Sequence, residues 1–187
     1  MTVRPIVITG EPVLHRPAQP VTRFDEDLRI LIKDMFDTMD AAPGVGLAAP
    51  QVGVDARLFV YGYDDGSTSM RGYVVNPELW ITPLPVGDLD EDEEAEGCLS
   101  VPGLRYPLHR SDRAILTGVD RHGDPVRAEA QGWFARIFQH EFDHLNGILY
   151  VDRLVDPYAY SARKTIKKAR WGVPGLRWTP GVDDIDA

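Results

Sequence analysis

The stretch at 139–144, QHEFDH, constrains the chain most, because two histidines stand four residues apart with a glutamate directly after the first. In a helix, positions i and i+4 lie on one face, so the rings of His140 and His144 can point at one metal ion. Glu141 is rotated away from both rings and would lie beside the ion, where a carboxylate can accept a proton from an activated water. The alternative is two ordinary histidines on a helix, because so short a pattern also arises by chance.

The residues around this stretch predict a helix over 131–145. Apolar side chains recur there at three- and four-residue intervals, which is the pattern of an amphipathic helix. These side chains are Trp133, Phe134, Ile137, Phe138, Phe142 and Leu145. The Asn146-Gly147 pair that follows is typical of a helix C-terminus.

Two histidines leave a catalytic metal site one protein ligand short. Cys98 is the strongest candidate, because it lies in a short glycine-bounded segment and a thiolate suits zinc or iron. Asp152 and Asp156 are weaker substitutes. A zincin-type metallopeptidase is the alternative, but its extended pattern HExxHxxGxxH would need a histidine where Tyr150 stands, and no glutamate follows Leu145.

Length and composition are those of an ordinary globular protein. The chain has 187 residues, of which 43% are hydrophobic and 26% charged, and this suits one domain. No run of about 18 apolar residues occurs, so we expect no membrane partner. The net charge of −9 argues against general binding to DNA. A single cysteine, with no basic and then apolar N-terminal segment, favours a cytoplasmic location.

The order of elements predicts an α+β fold, in which mostly antiparallel sheets pack around the metal-binding helix. We expect a single catalytic domain over 1–171 and an irregular C-terminal tail over 172–187. Helices are predicted at 24–40, 131–145 and 157–170, strands at 57–63, 73–75 and 79–81, and a hairpin at 113–119 and 126–130. An acidic loop is predicted at 83–96, where seven of the nine residues from 88 to 96 carry carboxylates.

Three motifs occur together in one order: GVGLAAPQVG at 44–53, EGCLS at 96–100 and QHEFDH at 139–144. Together they closely resemble the motifs of peptide deformylases, which remove the formyl group from the N-terminal formylmethionine of newly made polypeptides. The resemblance spans most of the chain and implies the fold of that family. The acidic insertion before EGCLS and the extended tail depart from the family pattern without touching a motif.

The resemblance implies a metal centre and a hydrolytic mechanism. The metal ligands would be Cys98, His140 and His144. Glu141 would act as general base and then as general acid, while the Gln51 side chain and the backbone N–H of Leu99 would stabilise the oxyanion. The resemblance further implies iron(II) as the ion in the cell, and zinc, nickel or cobalt also suit these ligands.

The same resemblance implies a peptide-binding cleft. Its candidate substrate-binding residues are Val45, Gly46, Gly97, Arg105, Trp133 and Ile137. Trp133 and Ile137 could equally belong to the core, and Arg105 could instead brace an acid such as Glu96. Arg110 is a second candidate partner for Glu96.

The partners implied are formylated nascent polypeptides and the ribosome near its exit tunnel. The predicted C-terminal helix is basic and would contact ribosomal RNA through its cations, with a dependence on salt. These cations are Arg163, Lys164, Lys167, Lys168 and Arg170. The alternative is an ordinary solvated helix face.

Overall fold

A five-stranded antiparallel sheet with a helix on each face forms the framework of the fold. The structure is a computed structural model and describes residues 1–183. Its helices are α1 (Glu26–Ala41), α2 (Trp133–Leu145) and α3 (Tyr158–Lys168). Its strands are β1 (Ile6–Val7), β2 (Gly46–Ala48), β3 (Leu58–Asp64), β4 (Ser69–Ile81), β5 (Ala95–Cys98), β6 (Val101–Pro107), β7 (Arg113–Val119), β8 (Pro125–Gln131) and β9 (Arg177–Trp178).

The strands pair in three antiparallel sheets within this part of the chain. The main sheet has the order β2-β3-β4-β7-β8. Strands β5 and β6 form a separate hairpin, and β1 pairs with β9. The predicted α+β class and the predicted hairpin of β7 and β8 are therefore confirmed.

Strand β3 explains how the sheet holds a helix on each face. Successive side chains of a strand point to opposite faces, and Leu58 and Val60 pack in one core cluster while Phe59 packs in another. The first cluster contains Met35 of α1. The second contains Phe138 of α2, whose ring centroid lies 6.3 Å from that of Phe59. Both faces are buried, which is why this strand is apolar at successive positions.

Helix α1 begins after Asp25, which serves as its N-cap. The Asp25 carboxylate accepts a hydrogen bond from the backbone N–H of Leu28 at 3.3 Å, which satisfies one of the free donors of the first turn. The apolar stripe predicted for this helix is buried at Leu28, Leu31, Ile32, Met35 and Met39. Burial of each such side chain contributes about 1.5–3 kcal/mol, so this stripe fastens α1 to the sheet.

The strands predicted at 73–75 and 79–81 are one strand, β4. The two predicted strands are continuous through Asn76-Pro77, and the pairing with β7 only shifts register between Val75 and Glu78. Asn76 takes a left-handed backbone conformation with φ of 49°, which asparagine tolerates better than most residues. Its side chain accepts from the N–H of Val21 and donates to the Val21 carbonyl, both at 2.8 Å.

The acidic segment predicted as a loop at 83–96 is not exposed throughout. Strand β5 begins within it, at Ala95, and Glu96 in this strand is buried. The loop is also fastened at two points, because Tyr158 donates to Glu91 and the Nδ1 atom of His109 lies 3.1 Å from Glu94.

The prediction of an irregular tail is wrong for residues 177–178. These residues form β9, which pairs with β1 in the register Ile6↔Trp178, and the Trp178 side chain is buried in the core. The prolines and glycines of the tail predicted irregular structure, but Arg177 and Trp178 pair with Val7 and Ile6 near the N-terminus. Residues 184–187 of the predicted tail lie outside the described part, and the boundary of the catalytic domain at 171 stays a prediction.

Helix α3 covers the outside of the β5–β6 hairpin region. Ala159 and Ala162 are buried, and Ala162 packs in a cluster with Leu149 and Tyr150. The cations of this helix lie on its exposed side. Across the described residues, none of the helices is both long and apolar enough to cross a bilayer.

Substitution of Asn76 by alanine is expected to lower the free energy of unfolding by about 2–3 kcal/mol, because it removes two hydrogen bonds and leaves a Cβ in a left-handed conformation. Urea unfolding measures the change. Asn76→Gly is the matched control, since glycine adopts this φ freely and should lose only the hydrogen bonds. Equal stability of wild type and Asn76→Ala would contradict the assigned role of this side chain.

Candidate metal centre and active site

Helix α2 and the end of strand β5 bring three metal-ligating side chains together. His140 and His144 project from one face of α2, and Cys98 is the last residue of β5. The Cys98 Sγ atom lies 3.3 Å from His144 Nε2, and the Nε2 atoms of the two histidines are 3.2 Å apart. All three candidate ligand atoms lie within 4.8 Å of one another.

This donor set fits one divalent ion. Donor atoms that bind one tetrahedral metal ion at about 2.0–2.3 Å lie about 3.3–3.8 Å from one another. The distances of 3.3 Å and 3.2 Å to His144 Nε2 are close to this range. Two imidazoles and one thiolate suit zinc and iron. The weaker candidates are engaged elsewhere, because Asp152 accepts from the N–H of Leu149 at 2.8 Å and Asp156 accepts from the N–H of Tyr160 at 3.1 Å.

Glu96 orients the first histidine of the centre. Its Oε2 atom lies 3.0 Å from His140 Nδ1, so the other ring nitrogen faces the remaining ligands. Arg110 Nε and Arg136 NH1 each donate to Glu96 Oε1 at 2.9 Å. Burial by itself raises the pKa of the Glu96 carboxyl, but the His140 hydrogen bond and the Arg110 charge outweigh it and hold the pKa well below its usual range.

The buried guanidinium of Arg110 is shared between two carboxylates. It donates to Glu96 and also to Asp143 Oδ2 at 2.7 Å. Asp143 in turn accepts from Arg153, whose side chain is about half exposed. Burial opposes the charge of Arg110, but Glu96 and Asp143 together raise its pKa above the usual range. The ion pairs between Glu96, Arg110, Asp143 and Arg153 therefore form a network that extends from the candidate metal centre to the surface.

Glu141 lies buried in the same cleft as Cys98 and His140. Its Oε2 atom has no hydrogen-bond partner among residues 1–183, and burial raises the pKa of its carboxyl to about 7. Gly46 lies directly against it, because a Cβ built on Gly46 would overlap Glu141 Oε1. A free carboxylate oxygen of this basicity can accept and return a proton near neutral pH.

The amide of Gln51 is oriented towards the metal centre. Its Oε1 atom accepts from the backbone N–H of Ala48 at 2.8 Å, which leaves the amide N–H groups to point the other way. Nε2 lies 3.8 Å from Cys98 Sγ. Leu99 follows Cys98 in the turn between β5 and β6, and its side chain packs beside Gly44.

An open cleft of about 700 Å³ contains the predicted site. The predicted site residues that line it are Val45, Gly46, Gln51, Gly97, Cys98, Leu99, Arg105, Trp133, Ile137, His140 and Glu141. His144 is buried away from this lining. Arg105 does not brace Glu96, because its guanidinium donates to the Ala95 carbonyl at 3.1 Å.

Four residues near the site were missed or only partly recognised in the sequence. The guanidinium of Arg136 binds Glu96, a contact that the sequence did not indicate. Asp143 and Arg153 carried no recognised role, although Asp143 lies inside the QHEFDH motif next to His144. Trp178 lies in the segment predicted to be irregular, and it too lines the cleft.

Glu96→Gln is expected to weaken metal binding by about ten- to a hundredfold, because a neutral amide cannot accept from both His140 and the two arginines. Competition with a chromogenic chelator measures the affinity for Zn²⁺ and Co²⁺. Glu94→Gln is the matched control, since Glu94 also faces Arg136 but does not touch His140. Unchanged affinity in Glu96→Gln would contradict this role.

Comparison with known proteins identifies the family. The family model described as Polypeptide deformylase matches residues 3–159. The chain is similar to a peptide deformylase of Mycolicibacterium smegmatis, with 52% identity over 97% of this chain and 96% of the relative. It is also similar to one of Rhodococcus opacus, with 51% identity over 97% and 95% of the two chains.

Comparison with solved structures also indicates the peptide deformylase family. The fold is similar to a peptide deformylase of Thermus thermophilus, with a TM-score of 0.77, 38% identity and coverage of 91% of this chain and 98% of that one. A peptide deformylase of Synechococcus elongatus in complex with actinonin gives a TM-score of 0.75, 35% identity and coverage of 91% of each chain. The chain therefore belongs to the polypeptide deformylase family and is an enzyme of that metal-dependent family.

Proposed function

We propose that this enzyme hydrolyses the N-formyl group of N-terminal formylmethionine and releases formate, with Glu141 as the proton carrier. Enzymes of this family act on formylated nascent polypeptides. One observation carries the proposal: a buried carboxylate with an unpartnered oxygen lies in an open cleft beside the converging donor atoms of Cys98, His140 and His144.

Cys98, His140 and His144 would hold one divalent ion. When bound, the ion acts as a Lewis acid that lowers the pKa of a water towards neutrality. We propose iron(II) as the ion in the cell, as the family resemblance implies, while zinc, nickel and cobalt also suit this donor set. Metal analysis of protein purified without oxygen distinguishes these ions.

Glu141 would take a proton from the attacking water and return it to the departing amine. The new bond joins the water oxygen to the formyl carbon, and the bond that breaks joins this carbon to the methionine nitrogen. Glu141 Oε2 is free of protein hydrogen bonds among the described residues, so it is available to the water. A carboxyl with a pKa of about 7 is suited to both transfers at neutral pH.

Gln51 and Leu99 would stabilise the oxyanion. The Ala48 N–H fixes the Gln51 amide so that Nε2 faces Cys98 Sγ, and from there it would donate to the reacting carbonyl. The turn after β5 would supply the backbone N–H of Leu99. Loss of one such donor typically raises the barrier by about 3–4 kcal/mol.

The cleft would favour formyl over larger acyl groups. Gly46 lies so close to Glu141 that a Cβ at position 46 would overlap the carboxylate, so the backbone of β2 directly contacts the proposed general base. The peptide backbone would pair with Val45, Gly46 and Gly97 at this crowded point. Arg105, Trp133 and Ile137 would contact the peptide and its methionine side chain, since all three line the cleft.

The zincin-type alternative would need a histidine ligand at position 150, where Tyr150 stands. Tyr150 stacks on His140 with ring centroids 6.1 Å apart, and its hydroxyl donates to the Leu104 carbonyl at 2.8 Å. Its role is therefore to pack beside the first histidine.

The exposed cations of α3 support docking on the ribosome near the exit tunnel. Lys164, Lys167 and Lys168 are exposed on this helix, and burial of the alanine face leaves the cations outermost. The single cysteine, which cannot form an internal disulfide, fits the cytoplasmic location that we propose.

Formate release from formyl-Met-Ala-Ser tests the catalytic proposal. We expect Glu141→Ala to lower kcat by at least about a hundredfold, because the water loses its general base, while the protein keeps its metal. A chelator should abolish activity, and acetyl-Met-Ala-Ser should be turned over far more slowly than the formyl peptide.

Glu129→Ala is the control, because Glu129 is exposed on β8 and remote from the cleft. Full activity of Glu141→Ala would contradict the role of Glu141. Cleavage of internal peptide bonds would indicate the metallopeptidase, and no turnover with any of the four metals would indicate a non-catalytic metal-binding domain.

Charge reversal of Lys164, Lys167 and Lys168 to glutamate should weaken co-sedimentation with ribosomes and flatten its dependence on salt. Each lost phosphate contact lowers the slope of log affinity against log salt by about 0.7–0.9. Formate release from the short peptide should be unaffected.

The matched control reverses three exposed arginines of the β7–β8 hairpin, Arg113, Arg121 and Arg127. Equal loss of ribosome binding in both triple variants would indicate a general effect of net charge and would contradict docking by α3.

A further inference from the structure

The turn that follows the candidate ligand Cys98 is held by segments near both ends of the chain. Leu99 and Ser100 form this turn between β5 and β6. The indole Nε1–H of Trp178 donates to the Leu99 carbonyl at 2.9 Å. The backbone N–H of Thr9 donates to the Ser100 carbonyl at 2.8 Å. Both carbonyls of the turn are therefore fixed from outside the hairpin.

The two chain ends are themselves joined. Strand β1 pairs with β9, and the backbone N–H of Ile8 donates to the Leu176 carbonyl at 3.0 Å. The N–H of Gly172 donates to the Thr9 carbonyl, also at 3.0 Å. Gly10 lies so close to this segment that a Cβ there would overlap the backbone of Gly172. We call residues 6–10 and 172–178 the terminal clamp.

Trp178 is the member of the terminal clamp that reaches the cleft. Its side chain is only 7% exposed, and it lies in the core cluster that contains Ile6, with Leu99 packed against that cluster. It nevertheless lines the same cleft as Glu141 and Gln51. One side chain thus joins the core, the turn and the substrate cleft.

We propose that Trp178 is a positioning residue for deformylation, acting through its indole hydrogen bond to Leu99. This inference rests on the proposed role of the Leu99 N–H as an oxyanion donor. The N–H and the carbonyl of Leu99 flank one Cα, so holding the carbonyl restricts the backbone rotations that aim the N–H. A donor displaced by about 1 Å from the reacting oxygen loses much of its effect on the barrier.

Ordinary core packing is the competing explanation, and it makes a different prediction. A packing residue changes the melting temperature, whereas a positioning residue changes kcat in protein that is fully folded. Hydrogen exchange of the indole N–H tests the hydrogen bond from Trp178 to Leu99. We expect the indole N–H of Trp178 to exchange with deuterium far more slowly than that of Trp80, whose side chain is 53% exposed.

Trp178→Phe removes the donor and keeps an aromatic ring in the core. With formyl-Met-Ala-Ser and fully metallated protein, well below the melting temperature, we expect kcat to fall by about three- to tenfold, the value of one lost hydrogen bond. KM should change by less than about twofold, and metal content should not change.

Ile6→Val is the matched control, because Ile6 pairs with Trp178 in the clamp and the change removes packing without touching the indole bond. We expect a lower melting temperature and an unchanged kcat. Equal loss of kcat in the two variants, or rapid exchange of the Trp178 indole N–H, would overturn the inference.

Gln51→Ala separates this inference from the proposed function. Loss of kcat in Gln51→Ala but not in Trp178→Phe would overturn the role of Trp178 and leave the oxyanion site intact. Unchanged kcat in Gln51→Ala would overturn the proposed oxyanion site, and with it the route by which Trp178 acts. Loss in both variants, with Ile6→Val unaffected, is the result that we expect.

Discussion

The hydrogen bond between Glu96 and His140 joins the two parts of the molecule on which the site depends. Glu96 belongs to the β5–β6 hairpin and His140 to α2, and their side chains meet at 3.0 Å. The hairpin contributes Cys98 and the helix contributes both histidines. Contact between these elements therefore brings together candidate metal ligands that are more than 40 residues apart in sequence. A buried carboxylate is stable here only because Arg110 and Arg136 supply the opposite charge.

The buried ion pairs of Arg110 and Arg136 contribute little net stability, because the cost of desolvating each ion opposes the attraction between the ions. Their value lies in the arrangement that they enforce. Removal of one member of a buried pair typically costs about 3–5 kcal/mol, since the remaining charge is left uncompensated. Arg110 spans Glu96 and Asp143, and Asp143 also lies beside His144 in α2. One guanidinium therefore fixes the hairpin relative to the histidine helix.

The turn of Leu99 and Ser100 between β5 and β6 has a second support on its opposite side. The helix α2 holds the hairpin through Glu96, and the two chain ends hold the turn through the carbonyls of Leu99 and Ser100. The turn needs such support, because two residues without strand pairing would otherwise move freely relative to the helix. The short sheet of β1 and β9 is thus connected to the turn that follows Cys98, although it lies outside the main sheet.

Local sequence determined the elements and the chemistry. The spacing of His140 and His144 predicted one helical face, and the single cysteine supplied a third candidate ligand. Apolar residues at helical spacing predicted α1, and strand-like runs predicted β3 and the β7–β8 hairpin. These signals are local, since they depend on helix and strand periods and on residue type. Only the tertiary structure decided that Asn76 continues a strand, that Trp178 closes a sheet with Ile6, and that Arg136, Asp143 and Arg153 complete the charge network around Glu96. These outcomes depend on which distant groups meet in space, and the same local pattern is compatible with many such partners.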